Sequence, residues 1–176
     1  MADVNGYAII RNAVPTELAQ KAADTMPGGL VTSVKREKFT EFTVPPVCVK
    51  IREHFIKEYG KHGELAQLLE TQSVPPPKSI NIGIFHETNP DPTKMKTGLK
   101  GEVYVTVALT DLSPANGLFI FLAKSHKHTS ESASAVGWEE SRIDLKAGDA
   151  VLWRGDLVYL HSSGGGGKFE TLVFGG

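Results

Sequence analysis

The stretch whose reading decides the fold begins Ala147-Gly148-Asp149-Ala150-Val151-Leu152-Trp153-Arg154-Gly155-Asp156-Leu157-Val158-Tyr159-Leu160-His161 and continues through Gly164–Gly167 into Lys168-Phe169-Glu170-Thr171-Leu172-Val173-Phe174. A tight turn at Ala147-Gly148-Asp149 launches the apolar run Ala150 to Trp153. A second run, Leu157 to Leu160, delivers one histidine, His161. Four consecutive glycines break the chain, and Phe169 to Phe174 reads as a final strand. Three β-rich runs with turn chemistry between them predict a sheet whose strands fold back on one another. The glycine run reads as a flexible hairpin connection. It is no phosphate loop, because no strand-to-helix context surrounds it and Lys168 is followed by Phe169 rather than Ser or Thr. Asp149 reads as a turn cap.

Upstream, the same two-residue period recurs. Ile80, Ile82 and Ile84 alternate with Asn81, Gly83 and Phe85, and His86 follows in phase with the isoleucines. Glu87 to Thr93 is a loop by composition. Val103, Val105, Val107 and Leu109 predict another strand, and Asn116-Gly117 turns the chain into the apolar run Leu118 to Leu122. Residues 124 to 140 read as a polar loop containing His126, His128 and Trp138, and Arg142 to Leu145 as a brief strand. The first part of the chain has a different pattern. After a short strand at Gly6 to Ile10, Pro15 precedes a predicted helix over Thr16 to Met26, ended by Pro27-Gly28-Gly29. Pro45-Pro46 opens a second helix, with Val47, Ile51, Phe55 and Ile56 at helical spacing, closed by Gly60. Glu64 to Gln72 predicts a third, before Pro75-Pro76-Pro77. Residues 30 to 44 carry no assignable pattern. Helices followed by about seven strands predict one domain over 1–176, with 1–78 mostly helical support and 79–176 forming a jelly-roll or similar β-sandwich.

Bulk composition narrows the function. The chain has 176 residues, 40% apolar and 22% charged, enough to bury one core without staples. A net charge of −1 offers no electrostatic case for nucleic acid or an anionic membrane as partner. No run approaches the roughly 20 apolar residues of a spanning helix. The start, Met-Ala-Asp-Val-Asn-Gly, lacks the basic and apolar regions of a secretory signal. One cysteine, Cys48, fits a reducing compartment, so the expected location is cytoplasmic. The expected partner is a hydrophobic small molecule.

Several segments carry a resemblance to a known family. Gly6 to Pro15, G-Y-A-I-I-R-N-A-V-P, resembles the opening strand and helix of the phytanoyl-CoA dioxygenase-like branch of the Fe(II)/2-oxoglutarate oxygenases. Thr110-Asp111-Leu112-Ser113-Pro114-Ala115-Asn116-Gly117 resembles that family's turn before its fourth barrel strand. Ala123-Lys124-Ser125-His126-Lys127 is similar to its P-G-S-H-K segment, and Ala147-Gly148-Asp149 with the strand to His161 to its distal-histidine region. The resemblance implies a double-stranded β-helix, a cupin-like jelly-roll barrel. It also implies an Fe(II) held by two histidines and a carboxylate, H-x-D and a distant H, with an arginine gripping the far carboxylate of 2-oxoglutarate. In that frame His126 is structural, and His86 and His161 are the candidate metal ligands.

The chain departs from the pattern twice. The H-x-D position reads His86-Glu87-Thr88, a hydroxyl where the acid belongs. Glu87 points to the other side of an extended backbone, and Asp91 joins the two histidines only through a bulged loop. Beyond His161 the chain offers Lys168, which supplies charge without a planar fork, and Phe169-Glu170-Thr171 stands in the expected R-x-S register. An inward Glu170 would repel a dicarboxylate. The leading expectation is therefore a small-molecule enzyme, of secondary metabolism, on a degenerate oxygenase scaffold. It would catalyse a redox-neutral isomerisation or cyclisation without a cofactor, with His86, His161, Lys168 and Glu170 as catalytic candidates and Thr88, Tyr104, Trp153 and Tyr159 as substrate-binding ones. The alternative is a working dioxygenase using Fe(II) and 2-oxoglutarate with an atypical third ligand. A second alternative is a non-catalytic binding protein.

Overall fold

Strand alternation builds the molecule in three layers. The computed structural model describes residues 2–26, 33–61, 63–91, 93–127 and 138–175, and among these the chain forms ten strands and four α-helices. The strands are β1 (Tyr7–Ile10), β2 (Ser33–Lys35), β3 (Phe39–Phe42), β4 (Ser79–Phe85), β5 (Glu102–Ala108), β6 (Ile120–Ala123), β7 (Glu139–Ser141), β8 (Ala150–Arg154), β9 (Tyr159–Leu160) and β10 (Lys168–Gly175). The helices are α1 (Ala2–Asn5), α2 (Thr16–Asp24), α3 (Pro46–Tyr59) and α4 (Glu64–Leu69). Seven strands make one antiparallel sheet in the order β1-β8-β5-β10-β4-β3-β2, and β7-β6-β9 make a second. The two pack face to face, and the fold is a cupin-like double-stranded β-helix with a helical layer behind the larger sheet.

The period of two sorts each central strand between two cores. Val103, Val105 and Val107 of β5, Ala150 and Leu152 of β8, and Leu172 and Phe174 of β10 meet Ala19 and Ala22 of α2 and Cys48, Ile51 and Phe55 of α3. The residues between them, Ala108, Val151, Trp153 and Phe169, face the smaller sheet and pack with Phe121 and Leu118. Each buried Val, Leu or Phe contributes roughly 1.5–3 kcal/mol, so both faces of the larger sheet are held by apolar burial. α3 opens with Pro46 in its first turn and ends at Gly60, and α4 stops where Glu70 adopts a left-handed φ of 55°.

Three strands come from the first 78 residues, so that part is more than helical support. β2 and β3 fall in the stretch without an assignable pattern. Phe39 pairs with Phe85 and packs between the sheets, whereas Phe42 pairs with Ile82 and packs toward the helices. With both faces of a four-residue strand covered, polar alternation disappears. Helix α2 ends at Asp24, two residues short of Met26. The predicted stop at Pro27-Gly28-Gly29 and the loop histidine His128 lie outside the described residues.

The glycine run is no flexible connection. The Gly166 N–H donates to the Phe85 carbonyl at 2.6 Å and the Gly167 N–H to that of Asn116 at 2.9 Å, while the Gly167 carbonyl accepts from the Phe85 N–H at 2.9 Å. A Cβ on Gly165 would lie 2.3 Å from the Glu87 nitrogen, and one on Gly164 would lie 2.2 Å from the Ala115 oxygen. The glycines are there because backbone packs on backbone. Asp149 does cap its turn, accepting from the Asn12 and Lys146 N–H groups and the Arg11 guanidinium, each at 2.9 Å. Ser125 and His126 are structural too: Ser125 Oγ accepts from the Val158 N–H at 2.8 Å, and His126 packs on Gly6.

Candidate functional site: an aromatic cavity beside two histidines

Between the sheets lies a cavity of about 220 Å³. The larger sheet contributes Phe39, Asn81, Phe85, Tyr104, Thr106, Trp153, Phe169 and Thr171, and the smaller sheet and its approach contribute Phe119, Phe121 and Tyr159. Tyr104 stacks on Trp153 and Phe85 on Phe169, each pair with centroids 4.5 Å apart, and Phe119 stacks on Tyr159 at 4.4 Å. Among the described residues, none that lines the cavity carries a charge. Burial and the Glu102 carboxylate, which accepts the phenol proton at 2.5 Å, push the Tyr104 hydroxyl up to about 12. Burial raises the Tyr159 phenol as well. Both rings therefore remain neutral near pH 7.

Tyr104, Trp153 and Tyr159 stand in this lining, and Thr88 does not. His161 stacks on two lining rings, Phe119 at 5.4 Å and Tyr159 at 5.8 Å, and so borders the cavity. His86 follows Phe85, a cavity-facing residue, and is out of phase with that face. Its Nε2 is buried without a hydrogen-bond partner among the described residues. Burial lowers the pKa of both imidazoles, with Lys35 and Lys38 adding to the effect at His86, and Lys96 and Lys38 at His161.

The residue that joins the two histidine segments is Lys38, which sequence reasoning missed. Its side chain is only 2% exposed. Its Nζ donates to the carbonyls of Ser162 at 2.5 Å, Gly164 at 2.6 Å and His86 at 3.3 Å, and to Thr88 Oγ1 at 3.4 Å. The Thr88 hydroxyl in turn donates to the Ser162 carbonyl at 3.3 Å. A lone lysine in an unassigned stretch reads as surface charge, and nothing local marks it as buried.

Two features bear on whether Fe(II) fits. The unpartnered His86 Nε2 is a nitrogen that a metal would satisfy. Against it, Thr88, two residues after His86, offers a hydroxyl already bonded to Lys38 and Ser162, and an ammonium lies close enough to depress both imidazoles. A dication beside it would meet like-charge repulsion in a poorly solvated space. Asp91 brings no remedy: it is exposed, and its carboxylate accepts from the Thr93 N–H at 2.9 Å and hydroxyl at 2.7 Å. Among the described residues no three His, Cys, Asp or Glu side chains assemble as a metal-binding group. The residues present do not fit a facial iron site.

Lys168 and Glu170, catalytic candidates in the sequence, are placed away from this cavity. On β10 they share a face with Leu172 and Phe174, toward the helices. Lys168 Nζ donates to the carbonyls of Ala23 at 2.9 Å and Met26 at 2.6 Å, closing the end of α2. Glu170 is fully buried behind the sheet. The cavity takes Phe169 and Thr171 instead, so the register of β10 turns Lys168 and Glu170 toward the helical layer.

The fold is shared with non-haem iron, 2-oxoglutarate enzymes. The α-ketoglutarate-dependent carbocyclase SnoK from nogalamycin biosynthesis superposes with a TM-score of 0.70 at 15% identity, covering 99% of this chain and 81% of its own. The epimerase SnoN from nogalamycin biosynthesis gives 0.63 at 14% identity, covering 99% and 80%. HygX from Streptomyces hygroscopicus, with nickel, 2-oxoglutarate and hygromycin B bound, gives 0.66 at 14%, covering 99% and 84%. No protein-family profile and no curated protein sequence matches the chain. Among the described residues no helix is long and apolar enough to cross a membrane.

Proposed function

We propose that this chain is a small-molecule enzyme that catalyses a redox-neutral isomerisation or cyclisation of a hydrophobic metabolite, on an oxygenase scaffold that no longer turns over 2-oxoglutarate. The carrying observation is Lys38, whose ammonium binds the two segments that present His86 and His161. The uncharged aromatic cavity supports the same reading, because a dicarboxylate cosubstrate would find no cation in its lining. Two neighbours of this fold are a carbocyclase and an epimerase, both α-ketoglutarate-dependent, which supports the cyclisation or isomerisation outcome and not the loss of the cosubstrate. Within that superfamily we assign the chain to the phytanoyl-CoA dioxygenase-like branch, on the opening G-Y-A-I-I-R segment and the turn before β6. His161 is the group placed to move a proton at the edge of the cavity, and the aromatic walls orient the substrate. The expected partner is a small apolar molecule in the cytoplasm, with neither nucleic acid nor membrane involved.

A second reading, an iron oxygenase with an atypical third ligand, draws support from the unpartnered Nε2 of His86. One experiment separates them. Purified protein is titrated with Co(II) under argon, followed by visible absorption, and is assayed with Fe(II) for succinate release from 2-oxoglutarate. The proposal expects no stoichiometric Co(II) spectrum and no succinate above a protein-free control. A one-to-one Co(II) complex with 2-oxoglutarate-dependent succinate would establish the second reading instead.

A further inference from the structure

We infer that the cavity accepts a flat, uncharged molecule of one or two fused rings whose single carbonyl oxygen is held by Thr171 and Asn81. The inference rests on reading this cavity as the substrate site. Size sets the first limit. A dry apolar hole of about 150 Å³ admits benzene, and pockets for larger ligands begin near 300 Å³. At about 220 Å³ this cavity lies between them. Shape sets the second, since the stacked pairs Tyr104–Trp153 and Phe85–Phe169 present ring faces and edges that favour a planar guest.

Polarity gives the orientation. Asn81, Thr171 and Thr106 are direct neighbours across β4, β10 and β5, forming one polar row over the sheet face of a cavity whose other polar side chains are the phenols of Tyr104 and Tyr159. Trp153 Nε1 donates to Thr106 Oγ1 at 3.2 Å, and the two threonine hydroxyls stand 3.3 Å apart. The Thr106 oxygen accepts from the indole, and the contact between the two hydroxyls takes one of their two protons, whichever of them donates. The other proton of the pair is left pointing to no protein acceptor among the described residues, beside an Asn81 amide that also lacks one. The Tyr104 hydroxyl cannot serve, being held by Glu102 and by the Leu99 N–H at 3.2 Å. The row thus offers donors to one guest oxygen. With no charge in the lining, a carboxylate entering there loses its hydration and gains no counter-ion.

The test is calorimetric titration of the intact protein with 1-indanone, indane and indane-1-carboxylate. The expected order is 1-indanone about tenfold tighter than indane, the increment of one hydrogen bond in a dry site, with indane-1-carboxylate not binding. Thr171→Val, checked for folding by circular dichroism, should bring 1-indanone down to the affinity of indane and leave indane unchanged. Asn81→Ala provides the same comparison through a second residue. Binding of the carboxylate as tight as that of the ketone, binding of no probe, or undiminished ketone affinity in both variants would overturn the inference. Succinate release in the assay above would sink the redox-neutral reading and leave the ligand preference standing, so the two failures can be told apart.

Discussion

Glu170 is the residue whose environment most contradicts its chemistry. It is completely buried, neither carboxyl oxygen has a hydrogen-bond partner among the described residues, and desolvation, opposed only by Arg52, pushes its pKa up to about 9. It is therefore a neutral acid at pH 7, and holding it protonated there costs roughly 3 kcal/mol relative to the unfolded chain. Because the folded pKa is raised, the native state binds the extra proton. Its full stability is present below the ordinary value of 4.5 and is lost as pH rises toward 9. Glu170→Gln should flatten the dependence of urea-unfolding free energy on pH across that window, and should gain most over the parent near pH 9. Parallel pH profiles for the two proteins would show that the carboxyl ionises freely in the native state. That Glu170 and Lys168 face the helices was illegible in the sequence. Their spacing from His161 is visible there, but which face of β10 they occupy depends on a register set by Gly167 pairing back to Phe85.

The connection from β9 to β10 carries the lesson at the level of elements. Four glycines in a row look mobile on composition alone, yet their amides and carbonyls are tied to Phe85, Asn116 and Lys38. A Cβ at Gly165 would press on the backbone of His86 and Glu87, atoms that cannot swing aside. Gly165→Ala should therefore destabilise the protein by about 2 kcal/mol, the scale of overpacking in a core, seen as a fall in the denaturation midpoint with an unchanged slope. A variant as stable as the parent would mean that the run yields as a loop does. β4 and β5 were readable because Asn81 and Gly83, and Tyr104 and Thr106, alternate with isoleucines and valines, and β8 and β10 because short apolar runs follow turn and glycine segments. β2 was not, because its three residues are all exposed and no apolar pattern records its pairing.

At the scale of the molecule, Lys38 is the joint between layers. From the β2–β3 connection it reaches the exits of β4 and β9, strands that belong to different sheets. Burial depresses its pKa, which is a cost. The bonds to Ser162 and Gly164 oppose it, because a charge-assisted hydrogen bond contributes roughly 1.5–3 kcal/mol. The bonds win, and Lys38→Met, which keeps the length of the stem, should lower stability by about 2 kcal/mol. The loss should appear as faster amide exchange at His86 and Thr88, whose N–H groups donate to the carbonyls of Lys38 and Ser163 at that joint. Protection unchanged at both amides would mean that the two sheets are held by apolar packing alone.

What the sequence by itself determined is the early helices and the alternating strands from residue 79, which predict a jelly-roll or similar β-sandwich, and the residue types themselves, a threonine two places after His86 and no arginine beyond His161. These are local facts of residue type and period, and the chain carries them wherever it folds. Only the tertiary structure decided which side of each strand faces the cavity, that Lys168 and Glu170 turn away from it, and that an ammonium from residue 38 stands between the segments bearing His86 and His161. Each of those depends on pairing between residues far apart in the chain, and a one-residue change of register would reverse the face of every side chain involved.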